Sequence, residues 1–371
     1  MNEKTVVVVF PSVYTLNKIN DLQASISSIL KIKNYSVSNI RKEDSLIIIE
    51  TGDPVLVSSA ISSLFGIEKV AIAKEIANNF DIVLSTIIST SQNLLLKGEK
   101  FLVKVEGNTE SYLGKDVEIA AIASLVEKVS SLEAKPGSES EYDKLVYTII
   151  TKTHAYVCIF IDKGLGGLPY NSQKEKILCC IHDELSAITC LQAIKMGFEV
   201  RVIVCYHNDA DLLKLVKILN KIIPRIIENK IKIQFCKIAK SNMISTIVLV
   251  TNILITIAKK EKIARIALSA SPMIFPHNFS EYIAKLANQK KIIPWFPLSG
   301  IDSSIIENAK DIGLEKYTSN LKELCSMKLD QKIPKLKIES VRKALKTLKF
   351  VEITIGTKNI HDILDSLKSN H

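Results

Sequence analysis

The sequence predicts an α/β protein: an N-terminal ferredoxin-like α+β segment, a second small mixed segment, and then a doubly wound domain built on a parallel sheet. Three observations carry that prediction. The chain from 5 to 65 reads as strand, helix, strand, strand, helix, the ferredoxin-like order. Beyond residue 170, short continuous apolar runs alternate with helical patterns, as strands buried on both faces of a parallel sheet require. Between the two, GLGGLP at 164–169 places three of the chain's 13 glycines within four residues, which marks a required backbone conformation, a hinge or a close-approach loop.

In order, the first segment gives a strand at 5–10, a helix at 19–30, strands at 35–40 and 45–50, and a helix at 54–65, ending at Phe65, Gly66 and Ile67. The second gives a helix at 80–96, a strand at 100–106, a helix at 113–127 and strands at 144–151 and 154–162; its polar stretch 133–142, EAKPGSESEY, is the strongest loop signal in the chain. The third places strands at 176–181, 199–206, 231–235, 264–269 and 292–296. Its longest apolar stretch, 244–258, is interrupted by Ser245, Thr246, Thr251 and Asn252; it is too short to span a bilayer and reads as a buried helix. The chain turns basic from about 331 and ends in a strand at 350–355 and a helix at 361–367.

At 371 residues, 47% hydrophobic and 24% charged, the composition is that of a folded soluble protein with two or three cores. The apolar start at 6–10 follows Glu3 and Lys4 and lacks a small-residue cleavage site, so it reads as a first strand, not a signal peptide. The seven cysteines (Cys158, Cys179, Cys180, Cys190, Cys205, Cys236 and Cys325) form no C-x-x-C pair; they suit reduced, packed thiols in a cytoplasmic protein, not a disulfide frame or zinc site. Charge is uneven. Residues 1–170 carry 17 Lys+Arg against 20 Asp+Glu, and residues 171–371 carry 32 against 19, so the net +10 sits in the C-terminal half. That half suits a phosphate-bearing partner, nucleic acid first, or else a lysine-rich solvated surface.

The strand at 176–181, a helix at 186–196, Gly197 and the strand at 199–206 form a β-α-β unit. In nucleotide-binding α/β domains the turn after the first strand receives phosphate: backbone N–H groups face the anion and glycines let it approach. Here that turn is His182, Asp183, Glu184 and Leu185, with side chains where phosphate needs room and two carboxylates where it needs positive potential. His182, Asp183 and Glu184 read either as a metal or acid/base cluster or as a helix cap in which Asp183 accepts from helix N–H groups. Neighbouring turn residues rarely converge on one ion, and His154, His207 and His277 lie in no ligand spacing, so no metal is expected.

With these parts in this order, the chain resembles the tRNA 4-thiouridine synthetase (tRNA sulfurtransferase) family, nearly end to end. LFGI at 64–67 looks like the family's L-x-x-V-F-G-I element, FLVKV at 101–105 like its F-K-V strand, and Leu113 with Gly114 like the helix start that follows. GLGGLP at 164–169 resembles its G-G-L-P junction, and FPLSGID at 296–302 with Ile305, Ile306, Ile312 and Gly313 its R-P-L-x-G-x-D-x-x-E-I…I-G segment. The resemblance implies a ferredoxin-like domain at 1–54, a THUMP-like RNA-binding domain at 55–169, a PP-loop ATP-pyrophosphatase-like domain at 170–330 and a basic extension at 331–371.

Departures fall where the family's chemistry lies. Its S-G-G-x-D-S loop lands on IHDELS at 181–186, where only Ser186 remains; His182, Asp183 and Ser186 are the remnant of a phosphate loop. A carboxylate close to a phosphate near a surface costs about 4 kcal/mol per unit-charge pair, and each ~1.4 kcal/mol is tenfold in affinity. The family's T-G-E-S-L-G-Q element falls near SASPM at 269–273, without its glycine or acid. Cys325 sits near a family cysteine position that serves a cluster or a sulfur relay, or is an ordinary buried thiol.

The resemblance together with these departures implies a cytoplasmic protein that binds tRNA or another structured RNA, alone or as a homodimer and without a membrane, and that has lost ATP-dependent adenylation and needs no cofactor. The alternatives are an active sulfurtransferase using ATP and Mg at an atypical phosphate site, and a non-catalytic interaction scaffold. Candidate RNA contacts are Lys97, Lys100, Lys104 and Lys115 around the THUMP-like strand, and Arg342, Lys343 and Lys346 on one face of the tail helix. Few aromatics accompany these lysines, so phosphate or shape recognition is expected over base stacking.

Overall fold

The computed structural model describes residues 4–271, 274–299, 309–310, 313–314, 338–354 and 359–369. The chain divides into two compact units, Met1–Gly166 and Gly167–His371. Gly166 and Gly167 both carry positive φ, 62° and 75°, and a Cβ on Gly167 would meet the Lys195 carbonyl oxygen at 2.6 Å. The glycine-rich segment is thus a close-approach loop that only glycine fits.

The first unit is one eight-stranded sheet with helices. Its elements are β1 (Lys4–Pro11), α1 (Ile19–Ile32), β2 (Asn39–Glu43), β3 (Leu46–Glu50), α2 (Pro54–Ile61), β4 (Ile67–Ala77), α3 (Phe80–Leu94), β5 (Lys100–Glu106), α4 (Gly114–Lys128), β6 (Lys135–Pro136), β7 (Lys144–Ile150) and β8 (His154–Gly166). The strand order is β2-β3-β1-β4-β8-β7-β5-β6. The first four strands give the ferredoxin-like arrangement, and α3, β5, α4, β7 and β8 build the second half around a core of Val83, Ile87, Phe101, Val103, Val117 and Leu125.

Sequence reasoning missed β4, because IEKVAIAKEIA is rich in the helix formers Ala, Lys and Glu. It is a strand because β1 and β8 pair with it on either side for nearly its whole length, which overrides local propensity. The 54/55 boundary read from the sequence falls inside this sheet. The second strand also lies three to four residues later than 35–40, since Arg41 and Glu43, read as loop, point into a polar network. Arg41 donates to Glu50, Glu75 and, at 3.1 Å, the Tyr156 hydroxyl. Glu43 accepts from Tyr156 Oη at 2.6 Å, Thr153 Oγ1 at 2.9 Å and Thr151 Oγ1, and lies 3.1 Å from His154 Nδ1.

The second unit comprises β9 (Lys176–Ile181), α5 (Glu184–Lys195), β10 (Glu199–Tyr206), α6 (Asp209–Ile222), β11 (Lys230–Lys237), α7 (Met243–Glu261), β12 (Arg265–Ala267), α8 (His277–Asn288), β13 (Ile293–Trp295), α9 (Ile338–Lys346), β14 (Lys349–Thr354) and α10 (Asn359–Ser369). The sheet runs β13-β12-β9-β10-β11-β14, parallel except for the antiparallel edge strand β14. Successive strand residues face opposite ways. The Cys179 thiol meets Cys190 of α5, while the Cys180 thiol meets Cys205, which meets Cys236, whose sulfur lies 3.1 Å from the Ala344 carbonyl of α9. Helices therefore cover both faces, and the fold is doubly wound. Within the segment 331–371, read from the sequence as a basic extension, β14 pairs with β11 and completes the sheet.

At 19 residues, α7 is longer than the apolar stretch read from the sequence and long and apolar enough to cross a membrane by composition; two-thirds of that window is buried, packed among β9, β12, α8 and α9. Strand order reverses at β9, with β10 and β11 on one side and β12 and β13 on the other. The switch point thus lies at the C-terminal ends of β9 and β12, where α/β sheets bind ligands.

Burial pushes the Glu43 carboxyl up, but the hydrogen bonds from Thr151, Tyr156 and Thr153, with His154 beside it, hold it below the usual carboxylate range. A depressed folded-state pKa gives stability that is present above the unfolded value and is lost as pH falls through the folded one. Urea midpoints of the first unit's unfolding should therefore fall as pH drops below about 4.3, and fall less steeply in Glu43→Gln; an identical slope in the variant would contradict this.

Candidate functional site

The turn after β9 is closed on itself. Asp183 is the N-cap of α5, and its Oδ1 accepts from the Ser186 N–H at 2.8 Å. The Ser186 hydroxyl accepts from the N–H groups of His182 and Asp183, each at 2.9 Å, and donates to the Asp183 carbonyl at 2.9 Å. A hydroxyl has two lone pairs and one proton, so this one is saturated. The N–H groups of His182, Asp183 and Ser186 thus have partners inside the loop, and Ser186 is 1% exposed. The capping reading of Asp183 thus describes the geometry.

Two side chains complete the turn. Glu184 is paired with Lys214 of α6 at 2.5 Å, which offsets the repulsion its carboxylate would exert on an anion. The His182 side chain is 6% exposed, and neither ring nitrogen has a hydrogen-bond partner; Nε2 lies 3.6 Å from Asp183 Oδ2. Past β12, Ser269 and Ala270 are buried, while Met273 lies outside the described residues. Among the described residues no group of three or more His, Cys, Asp or Glu side chains could hold a metal.

Sulfur transfer needs an accessible thiolate. The six described cysteines are all buried, and burial pushes the Cys158 and Cys179 thiols well above the usual thiol range. Cys325, the candidate relay residue, lies outside the described residues.

The four lysines proposed for the first unit each face a glutamate. Lys97 lies 3.6 Å from Glu133, Lys100 is 2.5 Å from Glu141, Lys104 is 3.6 Å from Glu106, and Lys115 pairs with Glu118. Exposed pairs of this kind are worth about 0–1 kcal/mol, so phosphate can exchange for the carboxylates, at reduced net attraction. Sequence reasoning missed Lys69, whose ammonium lies 5.3 Å over the Tyr147 ring in a 390 Å³ groove shared with Lys104; the juxtaposition exists only once β4 and β7 share a sheet. In the second unit α9 buries Val341 and Ala344 and exposes Arg342, Lys343 and Lys346; Lys343 pairs with Glu339 at 3.2 Å.

No family model matches the chain. A probable tRNA sulfurtransferase of Methanosarcina mazei is 23% identical over 186 residues, 50% of this chain and 46% of that protein, so the chain spans about half the length of the curated relative it matches. A solved 4-thiouridine synthetase in complex with RNA and bound ATP superposes with a TM-score of 0.68 at 15% identity, over 95% of this chain and 100% of the other. The Pyrococcus horikoshii protein PH1313 does so at 0.63 and 18% identity, over 83% and 99%. The chain is thus similar in sequence to a probable tRNA sulfurtransferase over half its length and shares the fold of a 4-thiouridine synthetase over nearly all of it.

Replacing Ser186 with Ala strands two backbone N–H groups in the turn. The Ser186→Ala protein should lose about 1–3 kcal/mol of stability in urea unfolding, the cost of unsatisfied buried donors; an unchanged midpoint would show that the hydroxyl does not hold the loop.

Proposed function

We propose that this relative of the tRNA sulfurtransferases binds tRNA or another structured RNA in the cytoplasm and no longer adenylates it. One observation carries the reading: the Ser186 hydroxyl occupies the N–H groups of His182 and Asp183, so these two donors of the turn are not free for phosphate. The net positive C-terminal half and the exposed Arg342 and Lys346 support a phosphate-rich partner. The thiols described here are buried, which supports the loss of sulfur chemistry as well. RNA contact then rests on charge and shape, from Lys97, Lys100, Lys104 and Lys115 in one unit and the α9 cations in the other.

Fluorescence titration of labelled tRNA at about 50 and about 200 mM salt, with and without ATP and Mg, tests this. Binding should weaken at least tenfold at the higher salt and be indifferent to ATP. ATP-dependent binding or release of AMP would establish an active sulfurtransferase with an atypical phosphate site. Co-purification with a protein partner and no retention of RNA even at low salt would favour a scaffold.

A further inference from the structure

A second groove lies at the β14 edge of the second unit's sheet, whereas the His182 turn follows the C-terminal end of the central strand β9. It has a volume of about 430 Å³ and opens among the first halves of β10 and β11 and the edge strand β14. In register, Gln234 sits opposite Phe350 and Lys232 opposite Glu352. Four features of the groove point to one kind of ligand.

Its deepest polar group is unsatisfied. Gln234 is 7% exposed, and its Nε2 donates to Glu261 Oε1 at the end of α7. A carboxylate only accepts, so the amide nitrogen must face Glu261 and the carbonyl oxygen is left over. That oxygen has no partner. A buried acceptor of this kind is costly and calls for a donor. Above it stands Phe350, an apolar plate 55% exposed on a strand whose other apolar residues, Val351 and Ile353, are buried. Beside it, the exposed Lys230 and Lys232 ammonium groups lie 3.4 and 3.7 Å from the carboxylate of Glu352. Arg201 lines the same groove and is held by Glu199 and Glu228.

An aromatic plate, an acceptor in the floor and two exposed ammonium groups at the rim match a planar base, its exocyclic amine and its phosphate. We propose that this groove holds a single unstacked nucleotide whose base carries an exocyclic amine, supplied by the RNA that the second unit binds. The proposal rests on the RNA-binding reading for its source of nucleotide but not for its chemistry. Uracil, which presents a carbonyl where cytosine presents an amine, would set two acceptors against each other at Gln234 and is disfavoured. A site built to receive a donor rejects analogues that lack one.

Cytidine and uridine 5′-monophosphates, pyrimidines of the same size, separate these possibilities in calorimetric titrations of the full chain. Cytidine monophosphate should bind at millimolar concentration and uridine monophosphate at least tenfold more weakly. Phe350→Ala, a change at an exposed position, should weaken the cytidine nucleotide about tenfold, the loss of one stacked base, and Lys232→Ala should weaken it too. Equal affinity for the two nucleotides, no cytidine nucleotide binding, or binding untouched by both variants would overturn the proposal. If the wild-type chain holds the cytidine nucleotide through Phe350 yet retains no tRNA, the groove stands and the RNA-binding reading falls. If tRNA binds in a salt-sensitive manner while the cytidine nucleotide does not bind, the reverse holds.

Discussion

The hydroxyl of Ser186 sets the chemistry of the second unit. Three hydrogen bonds of 2.9 Å tie it to His182 and Asp183 and leave it no free lone pair or proton. Everything upstream serves that turn. β9 lies between β10 and β12 and delivers it to the switch point, and α5 begins with Asp183 as its cap. In a nucleotide-binding turn the same N–H groups stay unpaired so that an anion can claim them. Here the Ser186 hydroxyl has taken those of His182 and Asp183, and Asp183 caps the helix that follows.

Much of the second unit was legible in the sequence because its strands are buried on both faces and read as continuous apolar runs. The cap at Asp183 was legible too, since an acid before a helix has one common local role. What escaped was non-local. β4 carries a helix former's composition and becomes a strand through its neighbours on both sides. Arg41 and Glu43 look like loop charges and are instead partners of Glu75, Tyr156 and His154, more than thirty residues away at the nearest. No local pattern encodes such pairings.

The site residues divide along the same line. The loss of glycine at 182 and 183 was visible, whereas the closure by Ser186 required coordinates, because the same serine would read as a conserved phosphate ligand from its position alone. The lysines were found by charge and spacing, but two of their carboxylate partners come from elsewhere in the chain: Glu133 follows α4 and Glu141 precedes β7, whereas Glu118 lies one turn along α4 from Lys115 and Glu106 two residues along β5 from Lys104. The Gln234 groove had no sequence signal at all. It arises where β14, from the end of the chain, pairs with β11, and sets Phe350 opposite a buried amide.

Amide hydrogen exchange at His182 and Asp183, followed by NMR with and without ATP and Mg, probes the closed turn most directly. Both protons are held by Ser186, so they should exchange slowly without nucleotide and at the same rate with it. Fast exchange in the free protein, or protection and shift changes at these two amides on adding ATP, would mean that the turn opens to phosphate and that the chain binds nucleotide as its relatives' fold allows.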